Sequence, residues 1–518
     1  ENPSSGVIGL FRNNQGNGKG AFLAVGSNLK GSYSMGMPDN TDAFTIVDGL
    51  GNDGTERLRI TSDGNVGIGS TTQPTEKLHV EGNARVTGIL TVGQNSTTIN
   101  GTLEYPTIRP TFDLNFAATK TLDRRVTFNR DSFATYIDNL GLVRTVSNNV
   151  PRFDHDPVTG ESLGLLVEES RTNIMDQSVP NSTWTVSGAS VTENNTTAPD
   201  GTTTASLFTG TGGSSISHFI RRDQTLVNAT TYTQSFFVKA GTTNYVQIAP
   251  STGFDSRYQN FDLANGVLGN GNVGSSGGTA AITAYSNGWY RISVTQTSIS
   301  GGSGRMVLAS ADSTTMSRLS SHADGLTFYV WGAQLEEGYF ATSYIPTSGS
   351  TVTRAADRAY INDVRVYDWF NEVEGTVVYE HTQIPSGGSS RYPSMGFGLT
   401  NSGTSTRAVQ VFYNLANEDT YYLVRTSGGD VSYIGSNSGF FTPAKVSFCY
   451  KKDDFVLVRN GSIVGTDTSG DLPDNFFFLS LGQNGAANTS HVLNARIKRF
   501  TYYPKRLPNA QLQGLTEQ

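Results

Sequence analysis

"KLHVEGNARVTGILTVG", residues 77–93, alternates with period two. Leu78, Val80, Gly82, Ala84, Val86, Gly88, Leu90 and Val92 fall on one side. Lys77, His79, Glu81, Asn83, Arg85, Thr87 and Thr91 fall on the other, with Ile89 the exception. Period two marks a strand with one buried face. The same phase runs through "ERLRITSDGNVGIG", residues 56–69, where Leu58, Ile60, Val66 and Ile68 share a side and Asp63-Gly64 supplies a hairpin turn. A lone hairpin is marginal in water, and these side chains are too few to offset the entropy of ordering their own backbone. The ribbon needs a second wall. Identical ribbons from neighbouring chains would supply one, with glycines admitting a close approach to a common axis. Leu58, Ile60, Val66, Ile68, Leu78, Val80, Val86, Leu90 and Val92 are then the core of a three-fold shaft. The competing arrangement lays the ribbon on a domain of its own chain.

Composition agrees with a β-rich, turn-rich protein. The 518 residues include 58 glycines, against an average near 7%, with 10% aromatic and 16% charged residues. Simple disorder lacks such an aromatic content. A net charge of −7 gives no electrostatic footprint for nucleic acid. The single cysteine, Cys449, excludes an intrachain disulfide framework and a cysteine-rich zinc site. No apolar run is long enough for a membrane helix. The first residue is Glu1, with no initiator Met, signal peptide or basic leader, so a preceding segment is expected.

The string "ERLRITSDGNVGIGSTTQPTEKLHVEGNARVTGILTVG" resembles the shaft segments of bacteriophage tail fibres and related virion fibres, and "FTIVDGLGNDGTERLRI" is similar to the same proteins. The likeness covers roughly residues 40–95. It implies a homotrimer on a virion, facing outward and joined to other virion proteins at its N-terminal end. Residues 1–55 then form an N-terminal β-rich fibre region and 56–106 the shaft and trimerisation segment.

Residues 107–175 turn irregular, with the turns Asp138-Asn139-Leu140-Gly141 and Asp156-Pro157-Val158-Thr159-Gly160, and resemble a connector of phage structural proteins. Their cluster Asp154, His155, Asp156, Glu161, Glu168, Glu169 and Arg171 matches no ligand spacing and reads as a turn carrying solvated charge. In 176–357, short runs such as "YTQSFFVKA", "NYVQIAP" and "GWYRISVTQTS" recur among Gly/Ser/Asn turns, the pattern of a sandwich. With "WGAQLE…TSYIPT" the segment is similar to jelly-roll, carbohydrate-binding-like modules of phage fibres. In 358–518, "DFVLVRNG" and "YYPKRLPNAQL" resemble the concanavalin-A-like, laminin-G-like lectin sandwich, and a short helix is expected after Pro508. The fold class is therefore all-β: an elongated intertwined trimeric shaft followed by a jelly-roll and a concanavalin-A-like sandwich.

Sugar recognition needs aromatic faces beside planar polar groups. The four tryptophans, Trp184, Trp289, Trp331 and Trp369, read as packing residues. The loop residues Phe254, Asp255, Arg257, Tyr258 and Gln259, with Arg391, Tyr392 and Tyr421 in the last domain, are the glycan-binding candidates. Asp467, Asp471 and Asp474 are a candidate Ca2+ site, since laminin-G-like relatives often bind calcium; no other cofactor is expected. The six histidines are scattered without a zinc-protease pair, and Gly274-Ser275-Ser276-Gly277-Gly278 fits G-x-S-x-G only inside a Gly/Ser turn run. No catalytic residue is assigned and no enzyme is expected. The reading is a fibre that adheres to a bacterial surface polysaccharide through multivalent lectin-like domains. Its alternatives are a tailspike depolymerase that cleaves that glycan and a purely structural decoration fibre.

Overall fold

A computed structural model describes residues 21–27, 31–38, 42–49, 55–69, 74, 76–81, 98–99, 103–104, 106, 108–383, 394–398, 407–414, 419–436, 444–475, 477–483 and 492–517. Val86, Leu90, Val92, Arg391 and Tyr392 lie outside the described residues. The chain divides into two units, Glu1–Ser96 and Thr97–Gln518. Strands dominate both, and among the described residues no helix is long and apolar enough to cross a membrane.

The first unit holds a six-stranded sheet in sequence order: Ala21–Ser27, Gly31–Met37, Ala43–Asp48, Thr55–Thr61, Val66–Ile68 and Leu78–Val80. The turn at Asp63-Gly64 forms as expected: Gly64, at φ +74°, donates its N–H to the Thr61 carbonyl at 2.9 Å. Register aligns one apolar row across all six strands, Leu23, Met35, Ile46, Leu58, Ile68 and Val80. A second row runs Phe44, Ile60, Val66 and Leu78. Ser34, Ala43, Thr45 and Val47, buried, occupy the other face. Leu78–Val80 pairs in parallel with Val66–Ile68 of the same chain, so this part of the ribbon is an edge strand of its own sheet. The apolar face is nevertheless uncovered, and Leu78 is 62% exposed.

The second unit contains two β-sandwiches, one inserted in the other. The inserted sandwich stacks two six-stranded sheets. One runs Thr185–Ser187, Phe219–Leu226, Gly302–Ala311, Tyr245–Ile248, Gln259–Asp262, Val267–Gly271. The other runs Ala189–Thr196, Ala205–Gly210, Thr327–Glu337, Thr231–Ala240, Trp289–Thr297, Thr279–Ala284. Alternate residues of both sheets, among them Phe208, Ile220, Phe236, Val246, Ile292, Leu308 and Val330, fill the space between.

The host sandwich departs from the expected boundaries. Its seven-stranded sheet opens with Thr127–Asn129 before Arg358–Ile361, and its eight-stranded sheet includes Phe112–Leu114, Phe153–His155 and Ser162–Val167. The segment expected as a connector, 107–175, thus supplies strands to the sandwich expected of 358–518 alone. Val167 and Leu165 bury their side chains with Ile497, Phe500 and Tyr379 in its core. The physical reason is that short strands with irregular spacing bury their apolar sides against partners far along the chain, as Phe128 does opposite Ala359 and Leu165 opposite Ile497. The stem of the insertion is a two-stranded pair, Arg171–Asn173 with Val352–Arg354. The helix after Pro508 spans Asn509–Thr516 and buries Leu512.

His381 sits in the host core between Tyr379 and Tyr413, with neither ring nitrogen hydrogen-bonded among the described residues. Burial, with a smaller push from Arg459, lowers its pKa to about 3. From the unfolded value of ~6.5 down to that point, the unfolded chain binds a proton that the folded chain refuses, so stability falls as pH falls. The melting temperature should therefore drop steadily below about pH 6.5. His381→Phe should flatten that slope, and an unchanged slope in the variant would show that His381 is not its source.

Candidate functional site

The two sandwiches meet at a buried ionic hub. Arg130, Arg152, Glu168, Arg354 and Asp357 each stand at or just beyond a strand end, and all are buried. Arg152 Nη1 donates to Glu168 Oε2 at 2.7 Å, to the Thr135 carbonyl at 2.8 Å and to Ser343 Oγ at 2.8 Å, while Nη2 pairs with Asp357. Arg130 Nη1 reaches the other Asp357 oxygen at 3.0 Å. Ser343, on the segment leaving the inserted sandwich, donates its N–H to Glu168 Oε1 at 2.8 Å and its hydroxyl to Oε2 at 2.6 Å. Burial alone would push the Glu168 carboxyl up, but Arg354, Arg152 and the Ser343 hydrogen bonds hold it well below the usual carboxylate range. The expectation of a turn with solvated charge is thus corrected for Asp154, His155, Glu168 and Glu169, which are buried; Asp156 and Glu161 do lie in a surface turn. His155 Nδ1 bonds the Ile137 carbonyl at 3.0 Å.

Beside the hub lies a cleft of about 660 Å³. One wall is the outer face of the inserted sandwich, a grid of three adjacent strands. Phe237, Arg291 and Thr283 form one row, Ser235, Ser293 and Ala281 the next, and Thr233, Thr295 and Thr279 the third. Hydroxyls bond across it: Thr233 to Thr295 at 2.8 Å and Thr231 to Thr297 at 2.9 Å. Tyr136 and Ile137 of the hairpin Ala134–Ile137/Val143–Val146, then Tyr285, Tyr339 and Phe340, add apolar and aromatic surface, and Asp154 and Arg496 come from the host sandwich. Asp154 accepts from Ile137 N–H at 2.7 Å and from Arg496 Nε at 2.6 Å. Below this end of the sheet Trp289, Phe237, Trp331 and Tyr344 pack with Ile137 and Val143 in a separate apolar cluster. The motif "WGAQLE…TSYIPT" therefore builds the joint: Trp331 and Tyr344 lie 4.5 Å apart, and the Gln334 side chain accepts the Ile345 N–H at 2.7 Å. A hydroxyl-covered sheet bordered by rings can bond sugar hydroxyls and receive the apolar faces of sugar rings.

The loop residues predicted from sequence fare unevenly. Phe254 is 3% exposed and packs edge-on against Tyr232 in the core, so it offers no ring face to a ligand. Gln259 is buried and donates to the Gly269 carbonyl at 2.6 Å. Asp255, Arg257 and Tyr258 stay partly exposed, with Arg257 paired to Asp255 at 2.7 Å. The Gln296 side chain, on the opposite face of its strand from Thr295, donates to the Asp255 carbonyl at 3.4 Å, so the loop is tied to the interior side of that sheet. Tyr421 lies elsewhere, on the host sandwich, stacked on Phe412 at 5.2 Å and beside the exposed Tyr433 at 5.1 Å, with its hydroxyl on Asp419 at 2.7 Å. Trp184, Trp289, Trp331 and Trp369 are all buried. Asp467, Asp471 and Asp474 do not converge: Asp467 caps Ser469, Asp471 pairs with Lys452 and Asp474 with Arg407. Among the described residues no three His, Cys, Asp or Glu side chains are placed to hold a metal ion.

No family model and no curated protein matches the chain. Among solved structures it is similar to a Trypanosoma rangeli sialidase in complex with 2,3-difluoro-KDN, at 11% identity and TM-score 0.25, over 60% of this chain and 51% of that one. It is also similar to the N-terminal CBM22 tandem domain of Paenibacillus barcinonensis Xyn10C (9%, TM-score 0.20, 64% and 94%). A third likeness is to domains LG4-5 of the mouse laminin alpha1 chain (9%, TM-score 0.18, 54% and 84%). The chain spans about half the length of the sialidase. Glycoside hydrolases among these neighbours overturn the expectation that the chain is not an enzyme, although a TM-score of 0.25 assigns no reaction. The β-sandwich architecture rests on the sheets themselves.

Sequence reasoning missed Tyr285, Arg291 and Tyr339 as cleft residues. The one available signal was "NGWYRISV", in which Trp289 and Arg291 share a strand face. A buried Trp beside an Arg on one face marks a surface that another element covers in part. Glu168→Gln leaves Arg152 and Arg354 short of an anion and should cost about 3–5 kcal/mol of stability. Urea denaturation checks this, and a loss below about 1 kcal/mol would mean that the hub does not hold the joint.

Proposed function

We propose that this chain is the subunit of a trimeric virion fibre that adheres to a bacterial surface glycan through the cleft between its sandwiches. The observation that carries the reading is the cleft itself, a Thr/Ser-covered sheet face bordered by Tyr136, Tyr285, Tyr339 and Phe340. The outward location on a virion and the attachment to other virion proteins follow from the likeness of residues 40–95 to fibre shafts. Trimerisation is supported by the uncovered rows of the first unit. Leu23, Tyr33, Met35, Met37, Phe44, Ile60, Ile68 and Leu78 are all exposed, and together they present on the order of 600 Å² of apolar surface, at the top of the range for a monomer patch and close to one side of a standard interface. Three copies joined there would act at high effective concentration, so weak individual sites give strong attachment.

Binding of the full chain to an array of bacterial surface polysaccharides tests the adhesion. Tyr339, 40% exposed in the cleft, is the chosen probe: Tyr339→Ala should weaken binding about tenfold without moving the melting temperature, the loss of roughly one stacking contact. Unchanged affinity would remove the cleft from the site, and shortening of the bound polysaccharide would make the chain a depolymerase. Sedimentation equilibrium tests the assembly. The full chain should run at three chain masses and Leu78→Asp at one; a monomeric wild type would end the trimer reading.

A further inference from the structure

We propose that the cleft selects an acidic glycan, pairing a sugar carboxylate with Arg291. This rests on the glycan reading above and narrows it to one substrate class. Four charged side chains line the cleft: Asp154, Glu168, Arg291 and Arg496. The chain itself neutralises three of them. Asp154 pairs with Arg496 at 2.6 Å, and Glu168 is held by Arg152 at 2.7 Å and Arg354 at 3.6 Å. Arg291 takes part in no ion pair among the described residues. Its Nη1 donates to the Thr342 carbonyl at 2.6 Å and its Nη2 to Ser235 Oγ at 3.1 Å, both neutral acceptors. Its Nε–H has no acceptor among the described residues, and the guanidinium also engages the neutral Tyr285 hydroxyl. A guanidinium carries five N–H donors, so donors remain for a ligand.

A half-buried cation with no counter-ion has lost part of its hydration and gained no charge partner in return. The deficit is largest before a ligand binds, and a carboxylate removes it through the planar, two-point geometry that guanidinium groups favour. Arg291 is also fixed in place. Its guanidinium lies over the Phe237 ring at 5.3 Å, and its two hydrogen bonds tie it to neighbouring segments of the inserted sandwich. Little side-chain entropy is left to lose on binding. Thr283 opposite it in register and Ser293 two residues along present hydroxyls to the same ligand. The chain's net charge of −7 offers a polyanion no long-range attraction, and at physiological salt such a field is screened within ~8 Å. Selectivity for an acid therefore depends on this local cation.

The test is an array carrying uronic-acid oligosaccharides beside their carboxyl-reduced counterparts, probed with the full chain. The acidic members should bind at least about tenfold more tightly than their reduced partners. Arg291→Gln should abolish that difference, and Arg291→Lys should keep part of it; melting curves confirm that each variant is folded. The wild-type comparison needs no variant, so it decides the matter even where a substitution unfolds the strand. Equal binding of acidic and reduced members would overturn the acidic assignment and leave glycan adhesion standing. Binding of neither would overturn both.

Discussion

Arg152 lies between two carboxylates, Glu168 and Asp357, and also holds the Thr135 carbonyl and Ser343. Five stretches of chain meet there: the hairpin after residue 130, the start of Phe153–His155, the end of Ser162–Val167, the exit from the inserted sandwich and the entry to Arg358–Ile361. Each charge is out of water, so each must be matched or the joint is lost. That requirement makes the hub specific as well as stabilising. A displacement of the inserted sandwich by even one residue would strand Glu168 without Ser343.

The cleft inherits its shape from this joint. Its sheet wall belongs to the inserted sandwich, Asp154 and Arg496 to the host and Tyr136 to the hairpin Ala134–Ile137/Val143–Val146, so neither sandwich alone encloses it. Rigid positioning matters for a site whose partners are weak, neutral hydroxyls. Fixed donors and rings lose little entropy when a ligand arrives, and hydroxyl pairs such as Thr233 and Thr295 are already aligned by the ladder beneath them. The apolar rows of the first unit follow a different logic, because their register places Ile46, Leu58, Ile68 and Val80, with Phe44, Ile60, Val66 and Leu78, on the same open face.

Period-two alternation in residues 56–69 was enough to place Leu58, Ile60, Val66 and Ile68 on one face, and Asp63-Gly64 was enough to place the turn, because both follow from local backbone geometry. The all-β class, the packing role of the four tryptophans and the helix after Pro508 were legible for the same reason: composition, side-chain size and a helix-starting proline act where they stand. What could not be read locally was pairing over distance. The strands of 112–167 look like loose connector segments until Leu165 meets Ile497. Phe254 looks like a loop-tip aromatic until the sandwich closes over it. Glu168 and Asp154 look like surface charge until Arg354 and Arg496, from remote segments, join Arg152 in pairing with them. Local sequence determines which face a side chain takes, whereas burial and charge pairing depend on what the rest of the chain brings to that face, and only the tertiary structure decides that.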